Sequence, residues 1–156
     1  MTEALQILGL TTTKAPLGAV VSLVLSVTAM VLFTIGWRLA VRKRLGAHRW
    51  VQTAAACLNA AVVAAWMIRS LVLYVLPAIP ARLDQGAYVV ATVHAAVGIA
   101  AVVFGVYVIL RGNELVPRAW RFSDYKPYMR GAYAGYLAGT LTGVILYVVA
   151  YVPVMR

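Results

Sequence analysis

His94 and Arg69 are the two residues able to do chemistry deep within the apolar body of this sequence, and His48 stands at the margin of a neighbouring apolar run. A histidine in such a setting can ligate a metal or haem iron through one ring nitrogen. An arginine can hold a carboxylate, such as a haem propionate, through paired hydrogen bonds. Thr142 and Tyr147 could add hydroxyls at a similar level. Other chemistries are missing. The four acids, Glu3, Asp84, Glu114 and Asp124, all fall in tails or connections, so no carboxylate pair lies within an apolar run. Proton-coupled transport usually needs one there. No Ser-His-Asp set, H-E-x-x-H motif or phosphate loop occurs, which leaves hydrolase and nucleotide-binding readings without support. Cys57 is the sole cysteine, which excludes an internal disulfide and any multi-cysteine zinc or iron–sulfur site. Within its apolar run it reads as a small packing residue.

These residues need elements to position them, and composition says which. Of 156 residues, 63% are hydrophobic and 12% charged, and the mean hydropathy is +0.88. Long apolar runs with few charges are membrane spans of ~20 residues each. Four such runs, about 17–41, 50–76, 87–110 and 131–152, predict a single all-α integral membrane domain, an antiparallel four-transmembrane-helix bundle. Residues 1–16 form a short lead that could rest on the membrane through Leu5, Ile7, Leu8 and Leu10, with Pro16 near the first helical turn. Glu3 precedes Lys14, the first basic residue, and the following run is too long for a signal-peptide core, so the first span is expected to be retained. The stretch 77–86, with Pro77, Pro80 and Gly86, has the composition of a turn. Gly112 is placed to cap the third helix. In 111–130, Trp120, Phe122, Tyr125 and Tyr128 alternate with basic residues, as suits a segment in the headgroup layer.

The net charge of +10 does not imply nucleic-acid binding, because the cations cluster at span ends. Arg38, Arg42, Lys43, Arg44 and Arg49 flank the first connection, and Arg111, Arg118, Arg121, Lys126 and Arg130 the third. The opposite side carries Lys14, Arg82 and Arg156. The positive-inside rule then puts the two basic connections in the cytoplasm and both termini outside. At ~1.5 Å per helical residue, Arg69 and His94 come to one level, roughly 10–12 Å below the outer interface. Thr142 is slightly deeper, and Tyr147 nearer the surface. His48 lies ~25 Å from His94 along the bilayer normal, so the two cannot share one iron. A cation in hydrocarbon costs about 2.5–3.5 kcal/mol on insertion scales, so Arg69 should face the bundle interior or snorkel outward. Two readings follow. In one, Arg69 and His94 build an outer-leaflet pocket for a haem, a metal or a quinone headgroup. In the other, each is satisfied by helix carbonyls or by Thr and Tyr neighbours.

The fourth span has a further pattern. Gly131, Gly135, Gly139 and Gly143 recur every fourth residue. In a soluble helix each would cost roughly 0.8–1 kcal/mol relative to Ala. In a bilayer such a ridge lets another helix approach closely. Steps of four advance ~400°, so the ridge drifts by ~120° and no single straight neighbour should cover it. A crossing helix could follow it, or the inner and outer glycine pairs could meet different neighbours. The outer half, beside Thr142, is the part expected nearest a ligand.

Several of these residues carry a resemblance. His48-Arg49 opens the second span, Ile68-Arg69 lies near its end, and Thr92-Val93-His94 lies in the third. Lys126-Pro127-Tyr128-Met129-Arg130 precedes the fourth span, which holds Thr142-Gly143 and Tyr147. Over about 45–150 this pattern resembles a domain-of-unknown-function family of small four-helix membrane proteins that includes the CtaM-type assembly factors of haem–copper cytochrome oxidases. Members of that family tend to have two more histidines, one closing the second span and one opening the fourth. Here Ser70 and Tyr128 stand near those positions, so the chain looks like a divergent member.

The resemblance implies a prokaryotic cytoplasmic membrane and a non-enzymatic assembly factor or accessory subunit of a respiratory or other electron-transfer complex. Its partners would be helices of that complex or a second copy of the chain. Haem b is the cofactor it would admit. The alternative is a small b-type cytochrome with His94 as axial ligand. A small channel or transporter is a weaker alternative.

Overall fold

In an apolar solvent each backbone N–H and C=O must find its partner within the segment, so long runs of Leu, Val and Ala become helices. The computed structural model, which describes residues 15–152, has four helices long and apolar enough to cross a membrane. The protein is an all-α integral membrane bundle, with no strand among the described residues. The lead through Lys14, the terminal Arg156 and the placement of both termini lie outside the described residues.

Helix α1 (Leu17–Val41) starts directly after Pro16, which is extended at φ −63°, ψ 146°. Helix α2 begins at Leu45, five residues earlier than the second predicted span, so His48 and Arg49 lie in its first turns. It runs as Leu45–Val62, a wide π turn Val63–Met67, a short α segment Ile68–Ser70, a second π turn Leu71–Val75 and a closing 3-10 turn Leu76–Ala78. A last helical turn, Ile79–Arg82, follows. Helix therefore continues through most of the predicted 77–86 linker. Pro77 and Pro80 occupy first-turn positions of their short segments, where a missing N–H costs nothing.

Helix α3 is Gly86–Gly112 and α4 is Tyr125–Tyr151. The start of α4 at Tyr125 rather than 131 comes from a cap: the Asp124 carboxylate accepts the Lys126 N–H at 3.2 Å. Gly112 does not terminate α3 in the expected way, because it remains helical. Instead Glu114 takes the left-handed conformation, φ 62°, and the Leu115 N–H closes back on the Leu110 carbonyl at 2.9 Å. The end of α1 repeats this closure, with Lys43 at φ 59° and the Arg44 N–H on the Leu39 carbonyl at 2.9 Å. Both are Schellman-type stops in which a residue with a side chain stands where glycine is usual.

The four helices form two hairpins. α1 packs along α2 through Ser26, Ala29, Ala55 and Val62, all buried. α3 packs along α4. An aromatic seam joins the hairpins: Phe33 meets Tyr136 with ring centroids 4.4 Å apart, and Trp37 stacks on Tyr133 at 5.6 Å. Thr34 and Tyr133 share a hydroxyl–hydroxyl hydrogen bond of 3.0 Å. Because the last turns of α1 meet the first turns of α4, both basic turns lie at one end of the bundle. Little else is enclosed. Ile99, Val103, Leu141 and Ile145 are among many apolar side chains facing outward, as lipid-facing helices require. Cys57, expected as a packing residue, also faces outward.

Candidate functional site

The glycine ridge decides how α3 and α4 meet. A methyl placed on Gly131 would touch Phe104 at 3.3 Å, and one on Gly135 would touch Ala101 at 3.5 Å. One on Gly139 would meet the Gly98 backbone at 4.0 Å, and one on Gly143 would press on the His94 ring at 3.0 Å. All four glycines therefore face α3. Of the two arrangements expected for the drifting ridge, one crossing helix that follows it is the one present, and the glycine pairs are not divided between two neighbours. The physical reason is in α3: its facing residues shrink from Phe104 through Ala101 to Gly98, then enlarge again at His94. Backbones meet without side chains between them at Gly98 and Gly139, and large rings fill the gaps on either side. That is how a crossing pair stays in contact along a drifting stripe.

His94 is half-buried at one end of this crossing. Its Nδ1 lies 3.1 Å from the Gly139 carbonyl and 3.2 Å from Thr142 Oγ1. A carbonyl can only accept, so Nδ1 carries the proton and Nε2 keeps its lone pair. The Thr142 hydroxyl donates to the Ala138 or Gly139 carbonyl, both at 3.0 Å, which leaves its oxygen free to accept from His94. The predicted neighbourhood of His94, Thr142, Gly139 and Gly143 is thus brought together. Tyr147, one turn further along α4, is buried and lies 5.5 Å from the Tyr151 ring.

Arg69 does not join them. It sits on the short α segment between the two π turns of α2, exposed on the outer side of the bundle. None of the side-chain hydrogen bonds among the described residues involves it. It does not face the bundle interior, one of the two orientations expected for it. Trp66, Ile68, Leu73 and Tyr74 are exposed around it.

His48 has its own partner on the other hairpin. Its Nδ1 bonds the Gly36 carbonyl of α1 at 2.7 Å, so it too is the Nδ1–H tautomer. Gly36 is buried, and a methyl on it would strike the Gln52 side chain at 2.8 Å. The Oε1 of Gln52 is buried with no hydrogen-bond partner. Sequence reasoning missed Gly36 as the acceptor, and its one signal was a small residue on α1 near the level of His48. The π turns of α2 gave no sequence signal at all.

An Nδ1–H held by a carbonyl, with Nε2 free, is the usual posture of a metal-ligating histidine. The donor chemistry of both rings therefore suits an axial ligand. Gly143 closes on the His94 ring, and among the described residues no group of three or more His, Cys, Asp or Glu side chains converges. Among the described residues, two shallow, open depressions share Phe104, ten residues from His94 along α3, as a lining residue. The larger, about 690 Å³, is lined by Ala100, Val103, Phe104, Tyr107 and Trp120. The smaller, about 210 Å³, is lined by Phe104, Pro127 and Tyr128.

The connection between α3 and α4 is folded rather than loose. Phe122 stacks on Tyr128 at 3.7 Å and 5°. The Arg111 guanidinium lies 5.5 Å from the Phe122 ring centre and donates to the Phe122 carbonyl at 3.3 Å. Arg121 donates to the Val116 and Glu114 carbonyls at 2.7 and 2.8 Å. Val116 is buried beneath this cap. No family profile, curated protein or solved structure matches the chain.

Proposed function

We propose that this protein is a non-enzymatic membrane scaffold, an assembly factor or accessory subunit of a respiratory or other electron-transfer complex, with its basic end in the cytoplasm. The observation that carries this reading is the exposed Arg69 on the second half of α2. An ionisable side chain within a span normally faces protein or a cavity. Here it faces outward between two π turns, a rare geometry that often marks functional positions. None of the acids of this chain lies within a span. A partner helix with a carboxylate or carbonyl at that level would satisfy the guanidinium and cover Trp66, Ile68 and Leu73. The four-helix pattern that resembles oxidase assembly factors supports the same reading.

The test is copurification from native membranes in a mild detergent, comparing the natural chain with Arg69→Leu. The expected outcome is a stoichiometric larger redox complex with the natural chain. With Arg69→Leu that complex is lost, while expression and helicity are unchanged. Equal copurification by both would remove Arg69 from the docking face and the reading with it.

A second reading, the small b-type cytochrome, keeps one observation in its favour: the free Nε2 of His94 and of His48. Its signature is a Soret band that shifts on dithionite reduction and vanishes in His94→Ala. The scaffold reading expects a colourless preparation.

A further inference from the structure

The two depressions around Phe104 share that ring as a common wall and lie at the basic end of the bundle. Their walls are fixed. The Tyr107 hydroxyl donates to the Trp120 carbonyl at 2.5 Å, tying the turn after Pro117 to α3. Tyr128 is held between Phe122 and Phe104, whose ring centres are 3.7 and 6.2 Å away. Trp120 is 72% exposed and Leu115 70%. Aromatic rings of this kind settle where hydrocarbon meets headgroups.

The cations of this connection divide into two classes. Arg111 and Arg121 are spent internally, on the Phe122 ring and carbonyl and on the Glu114 and Val116 carbonyls. Arg118, Lys126 and Arg130 are exposed, and no hydrogen bond among the described residues uses their side chains. Arg118 shares the 3-10 turn with Trp120, a wall of the larger depression. Lys126 directly precedes Pro127, in the wall of the smaller one. Each apolar trough thus has one uncommitted cation beside it in the chain.

We infer that this surface is a binding site for an anionic diacyl phospholipid. One acyl chain lies in each trough on either side of Phe104, and the phosphodiester is held by Arg118 and Lys126. A forked, doubly apolar ligand matches two troughs sharing one wall, and an anionic headgroup matches the charge. Glu114 and Asp124 are also exposed on this connection, so the site selects through the two placed cations rather than through a uniform positive field.

The test uses Trp120 as the reporter. The variant Trp37→Phe, Trp50→Phe, Trp66→Phe retains it as the sole tryptophan and is reconstituted in vesicles containing phosphatidylglycerol or phosphatidylcholine brominated on the acyl chains. The expected result is stronger quenching by the brominated phosphatidylglycerol at equal mole fraction. Arg118→Gln and Lys126→Gln should each reduce that preference about five-fold, the effect of one basic residue near an anionic surface. Native mass spectrometry of the unsubstituted protein supplies a second readout. Retained phosphatidylglycerol adducts should exceed phosphatidylcholine adducts and fall in the double variant. Equal quenching by the two lipids would overturn the proposal and make this face ordinary bilayer contact. Absent quenching by both, with cross-links between copies through this face, would overturn it in favour of self-association.

Discussion

The two hairpins solve one problem by different means. Each holds a single histidine on one helix and ties its Nδ1–H to a glycine carbonyl on the other. In the first, His48 makes one short bond, 2.7 Å, to Gly36 near the basic turn. In the second, His94 divides its proton between Gly139 and Thr142 past the middle of α4, with longer contacts of 3.1 and 3.2 Å. The first hairpin closes through buried Ala29, Ala55 and Val62, with Gly18 and Gly36 of α1 set against the Trp66 and Gln52 side chains of α2. The second closes through a four-glycine ridge with Gly98 opposite Gly139. The lesson is that a polar link between helices can be one contact among several where side chains from one helix fill the small positions of the other. Where the helices cross and diverge, the ring itself must also fill space.

The sharpest way to break this comparison is at the crossing. Gly139→Leu should destabilise the protein by about 3 kcal/mol, the upper end of overpacking costs, because its new atoms meet the backbone of α3 rather than a movable side chain. Gly139→Ala should change little, since a methyl there finds 4.0 Å of room. Reversible unfolding in mixed detergent–SDS micelles measures both. A mild Gly139→Leu would show that the hairpin tolerates separation and that the ridge serves another partner.

A middle-sized effect separates the histidines. His48→Ala loses one hydrogen bond, about 0.6 kcal/mol on the average of membrane double-mutant cycles. His94→Ala loses that and the ring packed on Gly143, and is expected to cost about 2 kcal/mol in the same assay. Equal costs would erase the distinction between a link and a filler. The smallest effect concerns the turns, where the hairpins agree. Lys43→Gly and Glu114→Gly should each stabilise by up to about 1 kcal/mol, relieving a side chain in the left-handed region. A loss of stability in either would mean that the side chain holds the turn through contacts that outweigh the strain.

Apolar run length made four helices and their antiparallel order legible in the sequence, because the bilayer enforces both. The helix starts were less so. Arg49 and the basic residues around Lys126 carry the charge of a connection, yet Asp124 followed by Pro127 in the first turn is a helix-start signature. The continuation through Pro77 and Pro80 was hidden because it depends on segment starts that the π turns create. At the site, the level of His94 with Thr142 and Gly143 followed from helical rise alone. The outward position of Arg69 did not, since rotation about α2 is set by packing on α1 and by widened turns without a residue pattern. The glycine drift rules out a straight neighbour, and α3 follows the stripe by crossing it and varying its own side-chain size.

The aromatic seam of Phe33, Trp37, Tyr133 and Tyr136 is confined to the basic end, and the connection between hairpins is three residues, Leu83–Gln85. Most contacts of each hairpin lie within it, but the two also meet away from the seam, where Leu71–Val75 of α2 approaches α3 and Arg82 donates to the Tyr88 hydroxyl at 2.9 Å. A break at 83–85, with the halves made as separate polypeptides, therefore asks whether the seam and this second junction can reunite them.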